Sequence, residues 1–123
     1  MSMYIPPAIA LERLRQQQEE GYSLQDDCRY TEGELMRAAT CYAAHWRYGV
    51  NRRGGDPRPE GVPAAWPWAP AWWKPRDALA DLKRAGALIL AEIDRRTMMG
   101  EETWSAVDFL KDIVHYGRLR GCW

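Results

Sequence analysis

The sequence predicts an all-α fold: a single compact domain of about four helices, with a long ordered loop rich in proline and tryptophan between helices two and three. Three observations support this prediction. Apolar residues recur at intervals of three and four over several segments, which is the spacing of one helix face. Alternation of apolar and polar residues, the pattern of a strand, never extends beyond a few residues. A chain of 123 residues suits one domain with its own core, so we expect that domain to span residues 1–123.

The first two helices are indicated by their end signals and by apolar spacing. Helix one is predicted over residues 7–20, because Pro7 suits a first helical position and Gly21 follows the end. Helix two is predicted over residues 31–48, where Thr31 can cap the N-terminus. The apolar positions of helix two share one face: Leu35, Ala38, Ala39, Tyr42 and Trp46.

Residues 49–75 form the predicted loop. They contain six prolines and four glycines, so no regular element can run through them. Loops of this length in compact domains are usually either functional or disordered. The tryptophans of "WPWAPAWW" favour an ordered loop, because large indole side chains are highly buried on average.

The last two helices follow the loop. Helix three is predicted over residues 76–96, with a seam suited to antiparallel packing at Leu79, Leu82, Gly86, Ile89 and Ile93. A glycine inside a helix costs about 1 kcal/mol relative to alanine, so we expect Gly86 to lie at a close helix approach. Helix four is predicted over residues 104–117, with Ser105 as its N-terminal cap.

Composition limits the partners and the location. The 17 basic and 17 acidic side chains cancel, so double-stranded DNA is not an expected partner and any nucleic-acid contact has to be local. No segment approaches the roughly 20 apolar residues that cross a bilayer, and the N-terminus lacks a secretion signal. We therefore expect a soluble, cytoplasmic protein without a membrane partner. The three cysteines are widely spaced and are expected to be reduced thiols.

Seven tryptophans are more than so short a chain is expected to bury, and exposed apolar patches commonly mark interfaces or ligand grooves. The predicted binding residues lie in the loop and at its ends: Arg47, Arg52, Arg53, Arg58, Trp66, Trp68, Trp72, Trp73 and Lys74. Guanidinium groups and indoles suit the phosphate and base of a nucleotide, and they equally suit a protein interface. The alternative is that these indoles simply cover the helices.

Carboxylates provide a second set of candidate residues. Thr31 and Glu34 have the spacing of a capping box, which is the simpler interpretation of Glu34. Glu92 stands beside the seam of helix three, where a carboxylate is usually paired with arginine or lysine and is sometimes a site with a shifted pKa. Helices two and three could bring Glu34 and Glu92 together, and Asp26 or Asp27 could add oxygen ligands for magnesium.

Cys41 and His45 are four residues apart on helix two and could form a metal site or a nucleophile and base pair. No second Cys and His cluster completes a zinc site. We therefore expect Cys41 to be a small buried residue and His45 to lie at the rim of the core.

Several short pieces occur in a fixed order along the chain: "LERLRQ", "EEGY", the aspartate pair at 26 and 27, "YTEGELMRAATCYA", "WPW", "WWKP" and "KRAGALILAEIDRR". Together these pieces resemble a group of small phage and prophage proteins of uncharacterised function. The resemblance covers residues 11–96 and implies a mobile-element origin and the cytoplasm of a bacterial host. Residues 97–123 extend beyond that pattern.

The chain is also distantly similar to the all-helical MazG-like nucleotide pyrophosphohydrolases, whose helices supply Glu-x-x-Glu and Glu-x-x-Asp to magnesium. Glu34 matches the first glutamate, but Arg37 stands where the second would be. Glu92 is followed by Asp94 and Arg95, so the spacing of the second motif differs. The similarity implies a helical scaffold able to hold a nucleotide, and the departures from the motifs argue against catalysis.

Two function hypotheses follow from these patterns. The first is a non-catalytic phage-type binding protein without a cofactor, which inhibits a bacterial defence system by binding a host protein or a nucleotide signal. The alternative is a magnesium-dependent nucleoside triphosphate pyrophosphohydrolase that uses Glu34 and Glu92, with Asp26 or Asp27 as further ligands. Exposed indoles and the C-terminal "RLRGCW" are also compatible with a homodimer.

Overall fold

The computed structural model describes residues 4–19, 27–48 and 62–123, with the backbone alone for residues 45–48 and 78. These parts of the chain are helical and include no strand. In chain order the elements are α1 (Pro7–Glu19), α2 (Glu34–Tyr48), the 3-10 helix η1 (Pro70–Trp72), α3 (Ala78–Met99) and α4 (Trp104–Leu119). The predicted all-α fold with four main helices is confirmed. None of the helices described has both the length and the apolar character needed to cross a bilayer.

Helix α3 is the centre of the fold, because it packs against each of α1, α2 and α4. Its core side chains include Leu82, Leu88 and Ile89, all of which are buried. Leu79 was expected in the packing seam but is 41% exposed, so that expectation is wrong. Leu79 lies in the first turn of α3, and the buried stretch of the helix begins only at Asp81 and Leu82.

Helix α1 approaches α3 at Gly86. A Cβ atom on residue 86 would lie 2.7 Å from Cδ1 and 2.9 Å from Cγ2 of Ile9, which is fully buried. The absence of a side chain at Gly86 therefore lets the two helices meet, and the favourable packing compensates for the low helix propensity of glycine. The predicted close approach at Gly86 is confirmed.

The ends of α3 are fixed by local hydrogen bonds. Asp77 caps the N-terminus, since its Oδ1 accepts a bond of 2.9 Å from the Ala80 amide. At the other end Gly100 has φ +71°, and the amides of Gly100 and Glu101 donate to the carbonyls of Thr97 and Arg96. This is a Schellman motif, and it carries α3 to Met99, three residues past the predicted end at 96.

Helix α2 begins at Glu34 and not at Thr31. Gly33 has φ +78°, a left-handed conformation that separates the preceding turn from the helix. The Glu34 carboxylate accepts a hydrogen bond of 2.7 Å from the amide of Glu32. The predicted capping box between Thr31 and Glu34 is therefore wrong, although Glu34 does cover a backbone amide just before the helix.

Residues 97–123 belong to the core, although they extend beyond the pattern of the resemblance. Four apolar side chains of α4 are buried: Ala106, Leu110, Ile113 and Val114. Ser105 does not cap α4, because Thr103 occupies the N-cap position and its side chain forms no capping bond. Instead, the two oxygens of Glu102 accept from the amide of Ser105 at 3.2 Å and from its hydroxyl at 2.7 Å. The chain then folds back, so that Trp123 lies directly on Gly117 and donates to the Val114 carbonyl at 3.0 Å.

Candidate functional site

The four tryptophans of the loop are not equivalent. Trp66 and Trp73 are buried, at 9% and 7% exposure, and Trp68 is partly buried. Trp72 is 56% exposed. Trp66, Trp68 and Trp73 therefore cover the helices, as one interpretation of the sequence expected. Trp72 differs, because more than half of its surface is exposed to solvent.

The three indoles that pack against the helices form an aromatic cluster with two tyrosines. This aromatic cluster consists of Tyr30, Tyr42, Trp66, Trp68 and Trp73. Tyr42 on α2 is central, with ring centroids 4.7 Å from Trp73 and 5.6 Å from Trp66. Trp66 and Trp68 meet edge to face at 5.4 Å, and Trp68 lies 5.4 Å from Tyr30. Edge-to-face and offset rings at these distances add to the stabilisation from apolar burial. The cluster attaches the end of the loop to α2.

Local backbone bonds explain how the loop brings its indoles to this position. The Trp66 amide donates to the Pro63 carbonyl, and the Trp66 indole nitrogen donates to the Ala69 carbonyl at 3.1 Å. Pro70 then begins η1, a position that suits proline because its missing amide has no helical acceptor. One turn later the chain sends Trp72 outward and Trp73 into the cluster.

Arg84 of α3 connects the loop to the core. Its Nη1 donates to the Tyr42 hydroxyl and to the Lys74 carbonyl, both at 3.2 Å, and its guanidinium lies 5.6 Å from the centre of the Tyr42 ring. The Lys74 amide donates to the same hydroxyl at 3.3 Å. Burial raises the pKa of Tyr42, and the hydrogen bond from Arg84 opposes that rise. Arg84 was not among the predicted site residues, because its partners lie 42 and 10 residues away along the chain and no local pattern indicates these contacts.

Trp72 and Lys74 form the exposed part of the loop. The Lys74 ammonium lies 5.5 Å from the centre of the Trp72 ring, within the range of a cation–π contact. Both side chains are exposed. A cation held against an indole presents a flat apolar face beside a positive charge, a combination that suits recognition of another molecule.

A charged groove lies between α1 and the start of α3. It has a volume of about 310 Å³ and is lined by Glu12, Arg15, Glu19, Arg76, Ala80, Lys83 and Arg84. Within the groove Glu12 holds Arg15 in a two-pronged pair, at 2.9 Å to Nε and 2.7 Å to Nη2. Four lining side chains are basic and two are acidic, so the groove carries a local charge of +2 on a chain whose net charge is zero.

A much smaller cavity lies beside the groove, and Arg84 contributes to both. The other residues that line this cavity are Gln16, Tyr42, Trp66, Trp68, Trp72 and Leu88. Its free volume of about 10 Å³ is the space of one water molecule. Within the described residues, Oε1 of Gln16 and the indole nitrogen of Trp68 are buried without hydrogen-bond partners.

The candidate catalytic carboxylates have structural partners. Glu92 is 1% exposed; its Oε1 accepts from Arg95 at 2.8 Å, and its Oε2 accepts from Arg96 at 2.7 Å. Asp27 is buried and pairs with Arg13 at 3.3 Å. Glu34 binds a backbone amide, as described above. In residues 4–19, 27–48 and 62–123, no group of three or more His, Cys, Asp or Glu side chains could hold a metal ion.

Some predicted residues lie outside the part that the structure describes. These are Asp26, Arg52, Arg53 and Arg58. Arg47 and His45 lie in residues 45–48 of α2, where only the backbone is described. Cys41 is buried at 3% exposure, as expected of a small core residue. The described part of the predicted binding set therefore consists of the four loop tryptophans and Lys74.

Comparison with known proteins found no match to the chain among family models, curated proteins or solved structures.

Proposed function

We propose that the chain is a non-catalytic, phage-type binding protein that inhibits a bacterial defence system by binding a host protein. The observation that supports this proposal most directly is the exposure of Trp72 beside Lys74, on a loop whose neighbouring indoles are buried. Tryptophan is among the residues that most often dominate the energy of protein interfaces. The proposal places the protein in the cytoplasm of a bacterial host.

The chain on both sides of Trp72 is held against the core, which suits a binding interface better than a mobile surface loop would. Trp73 and Trp66 anchor the chain on either side of η1, and Arg84 bonds to the Lys74 carbonyl. An anchored aromatic side chain loses little conformational entropy when a partner covers it, and preorganisation of this kind strengthens binding. A partner covering Trp72 would also contact Lys74 and the adjacent end of the charged groove.

A nucleotide signal is less well supported than a host protein. Among the described residues, the lining of the charged groove includes no aromatic side chain on which a base could stack. Its volume of about 310 Å³ lies at the lower end of the range for small-molecule pockets, which also enclose most of the ligand. The hydrolase alternative is also less well supported, because both oxygens of Glu92 accept hydrogen bonds from arginines.

Phage growth on hosts that carry one defence system at a time tests the proposal. For one such system, expression of the protein should raise plaque counts by about tenfold or more, and Trp72→Ala with Lys74→Ala should lose this protection, since hot-spot residues carry most of the binding energy. A matched control is Trp104→Ala with Lys111→Ala, which removes an exposed tryptophan and an exposed lysine of α4. Equal protection by the two double variants would contradict the assignment of the surface. No protection against any system would contradict the function.

A further inference from the structure

We infer that the charged groove binds an acidic segment of the partner protein, with Trp72 covering an apolar side chain next to the acidic residues. This inference rests on the proposed function and adds to it the chemistry of the partner. It involves residues that the sequence analysis did not single out, namely Arg15, Arg76, Lys83 and Arg84.

Positive charge exceeds negative charge within the groove. Glu12 is buried, and its carboxylate is already neutralised by Arg15 and accepts a further bond of 3.5 Å from Gln16. The remaining lining charges are three cations, on Arg76, Lys83 and Arg84, against the single carboxylate of Glu19. Since the whole chain is neutral, this groove is a local concentration of positive charge that complements a negatively charged segment.

The cations of Arg76, Lys83 and Arg84 can bind a partner, because little of their bonding capacity is used within the described residues. Within the described residues, the side chains of Arg76 and Lys83 form no hydrogen bond or ion pair, and Arg84 uses only its Nη1 for Tyr42 and Lys74. Arg84 is also held in place by those two acceptors, so its other nitrogens are oriented before a partner arrives. Guanidinium groups of this kind bind carboxylates by two parallel hydrogen bonds.

The exposed indole of Trp72 lies next to the cations of the groove. Arg84 lines both the charged groove and the small cavity that Trp72 borders, so the positive groove and the exposed indole are adjacent parts of one surface. Carboxylates in the groove would then be accompanied by an apolar or aromatic side chain on Trp72. A nucleotide would also combine negative charge with a flat ring, but the groove volume of about 310 Å³ lies at the lower end of the range for small-molecule pockets, so a peptide that extends from the groove to Trp72 fits this surface better.

Selection of peptides from a random display library on the immobilised protein tests this inference. The selected sequences should be rich in aspartate and glutamate next to an aromatic or large apolar residue. A synthetic peptide of the leading sequence should bind about tenfold or more weakly to the double variant Arg76→Glu with Lys83→Glu, because charge reversal replaces attraction by repulsion. It should also bind more weakly as salt rises from about 0.05 M to 0.5 M.

Three controls make the outcome decisive. Lys111→Glu reverses an exposed charge on α4 and should leave the affinity for the peptide unchanged. Glu19→Gln removes a like charge from the groove and should tighten binding of the same peptide. Adenosine and guanosine triphosphate, titrated by calorimetry against the protein and against the Arg76 and Lys83 double variant, test the nucleotide directly.

Selected peptides without an acidic bias, or peptides that bind the charge-reversed variant equally well, would overturn the inference. Calorimetric binding of a triphosphate that is lost in the Arg76 and Lys83 double variant, without enrichment of acidic peptides, would overturn it in favour of a nucleotide. If the Arg76 and Lys83 variant still protects the phage while Trp72→Ala with Lys74→Ala does not, the groove assignment fails and the proposed function stands.

Discussion

Ile9 of α1 occupies the space that a side chain on residue 86 of α3 would need. Three atoms of Ile9 lie within 3.0 Å of the position of an added Cβ, and Ile9 is fully buried. Two of the three are Cγ1 and Cγ2, which are bonded directly to Cβ, so rotation of the Cδ1 end of the side chain does not move them. The contact between these two residues therefore determines how closely α1 approaches the central helix.

Gly86→Ala should destabilise the protein. Overpacking a core costs about 1–3 kcal/mol, and the better helix propensity of alanine returns about 1 kcal/mol of this. Urea denaturation monitored by circular dichroism measures the difference. In an Ile9→Ala background the clash is gone, so Gly86→Ala should become neutral or stabilising. A Gly86→Ala cost that is the same in both backgrounds would show that Ile9 is not the obstacle.

Glu92→Ala should be among the most destabilising single changes. The substitution removes the buried carboxylate that Arg95 and Arg96 share and leaves Arg95 to pair with the exposed Glu101, and breaking a buried ion pair costs about 3–5 kcal/mol. Asp112→Ala removes an exposed carboxylate from α4 and should change the free energy of unfolding by less than about 0.5 kcal/mol. Similar urea midpoints for the two variants would contradict a structural role for Glu92.

Stability should decline in acid partly through Glu101 and Glu102. The hydrogen bond from Arg95 lowers the pKa of Glu101, and the hydrogen bonds from Ser105 lower the pKa of Glu102. A carboxylate whose pKa is lower in the folded state stabilises the protein above its unfolded pKa, and this contribution is lost as the pH falls through the folded pKa. The loss therefore begins near the ordinary glutamate pKa of about 4.3 and continues below it.

Urea midpoints of the wild type and of Glu101→Gln with Glu102→Gln, measured from about pH 7 down to about pH 3, test this linkage. The variant should be less stable at neutral pH, and its midpoint should fall less steeply in acid. Two parallel curves would mean that these carboxylates do not contribute to the acid sensitivity.

Trp73→Ala and Trp72→Ala should differ sharply in their effect on folding. Trp73 is 7% exposed and packs against Tyr42 and Trp66, so its removal should cost about 3–5 kcal/mol. Trp72 is 56% exposed, and its removal should cost less than about 1 kcal/mol. Thermal unfolding of both variants, with Trp104→Ala as a second exposed control, measures this contrast. A large loss of stability in Trp72→Ala would remove the distinction between its role and that of Trp73.

The parts of the fold that sequence analysis predicted correctly depend on local, repeated signals. The apolar face of α2, which includes Leu35 and Tyr42, follows from helical periodicity, and Gly86 stood out because a glycine inside a helix needs compensation. Glu92 was placed next to the core with an expected basic partner, and the structure supplies Arg95 and Arg96 as partners.

The parts that it missed depend on choices between neighbours or on long-range packing. Ser105 and Glu102 both offer oxygens near the start of α4, and the pattern of capping residues favoured the serine although the glutamate forms the bonds. Thr31 and Glu34 match a capping box, but the conformation of Gly33 starts the helix later. The charged groove joins α1 to residues 76–84, and no local pattern reports that these segments meet.

The central position of α3 also has a consequence for how the chain opens. Since α1, α2 and α4 each have their own contact with α3, an outer helix can detach while the other two remain packed. Amide hydrogens in the middle of α3 should then exchange with solvent only when the whole domain unfolds, and those of α1, whose largest buried apolar contact is Ile9, should exchange soonest among the four helices. One wall of the charged groove would thus belong to the least protected helix of the protein, so that occupation of the groove should slow exchange along α1.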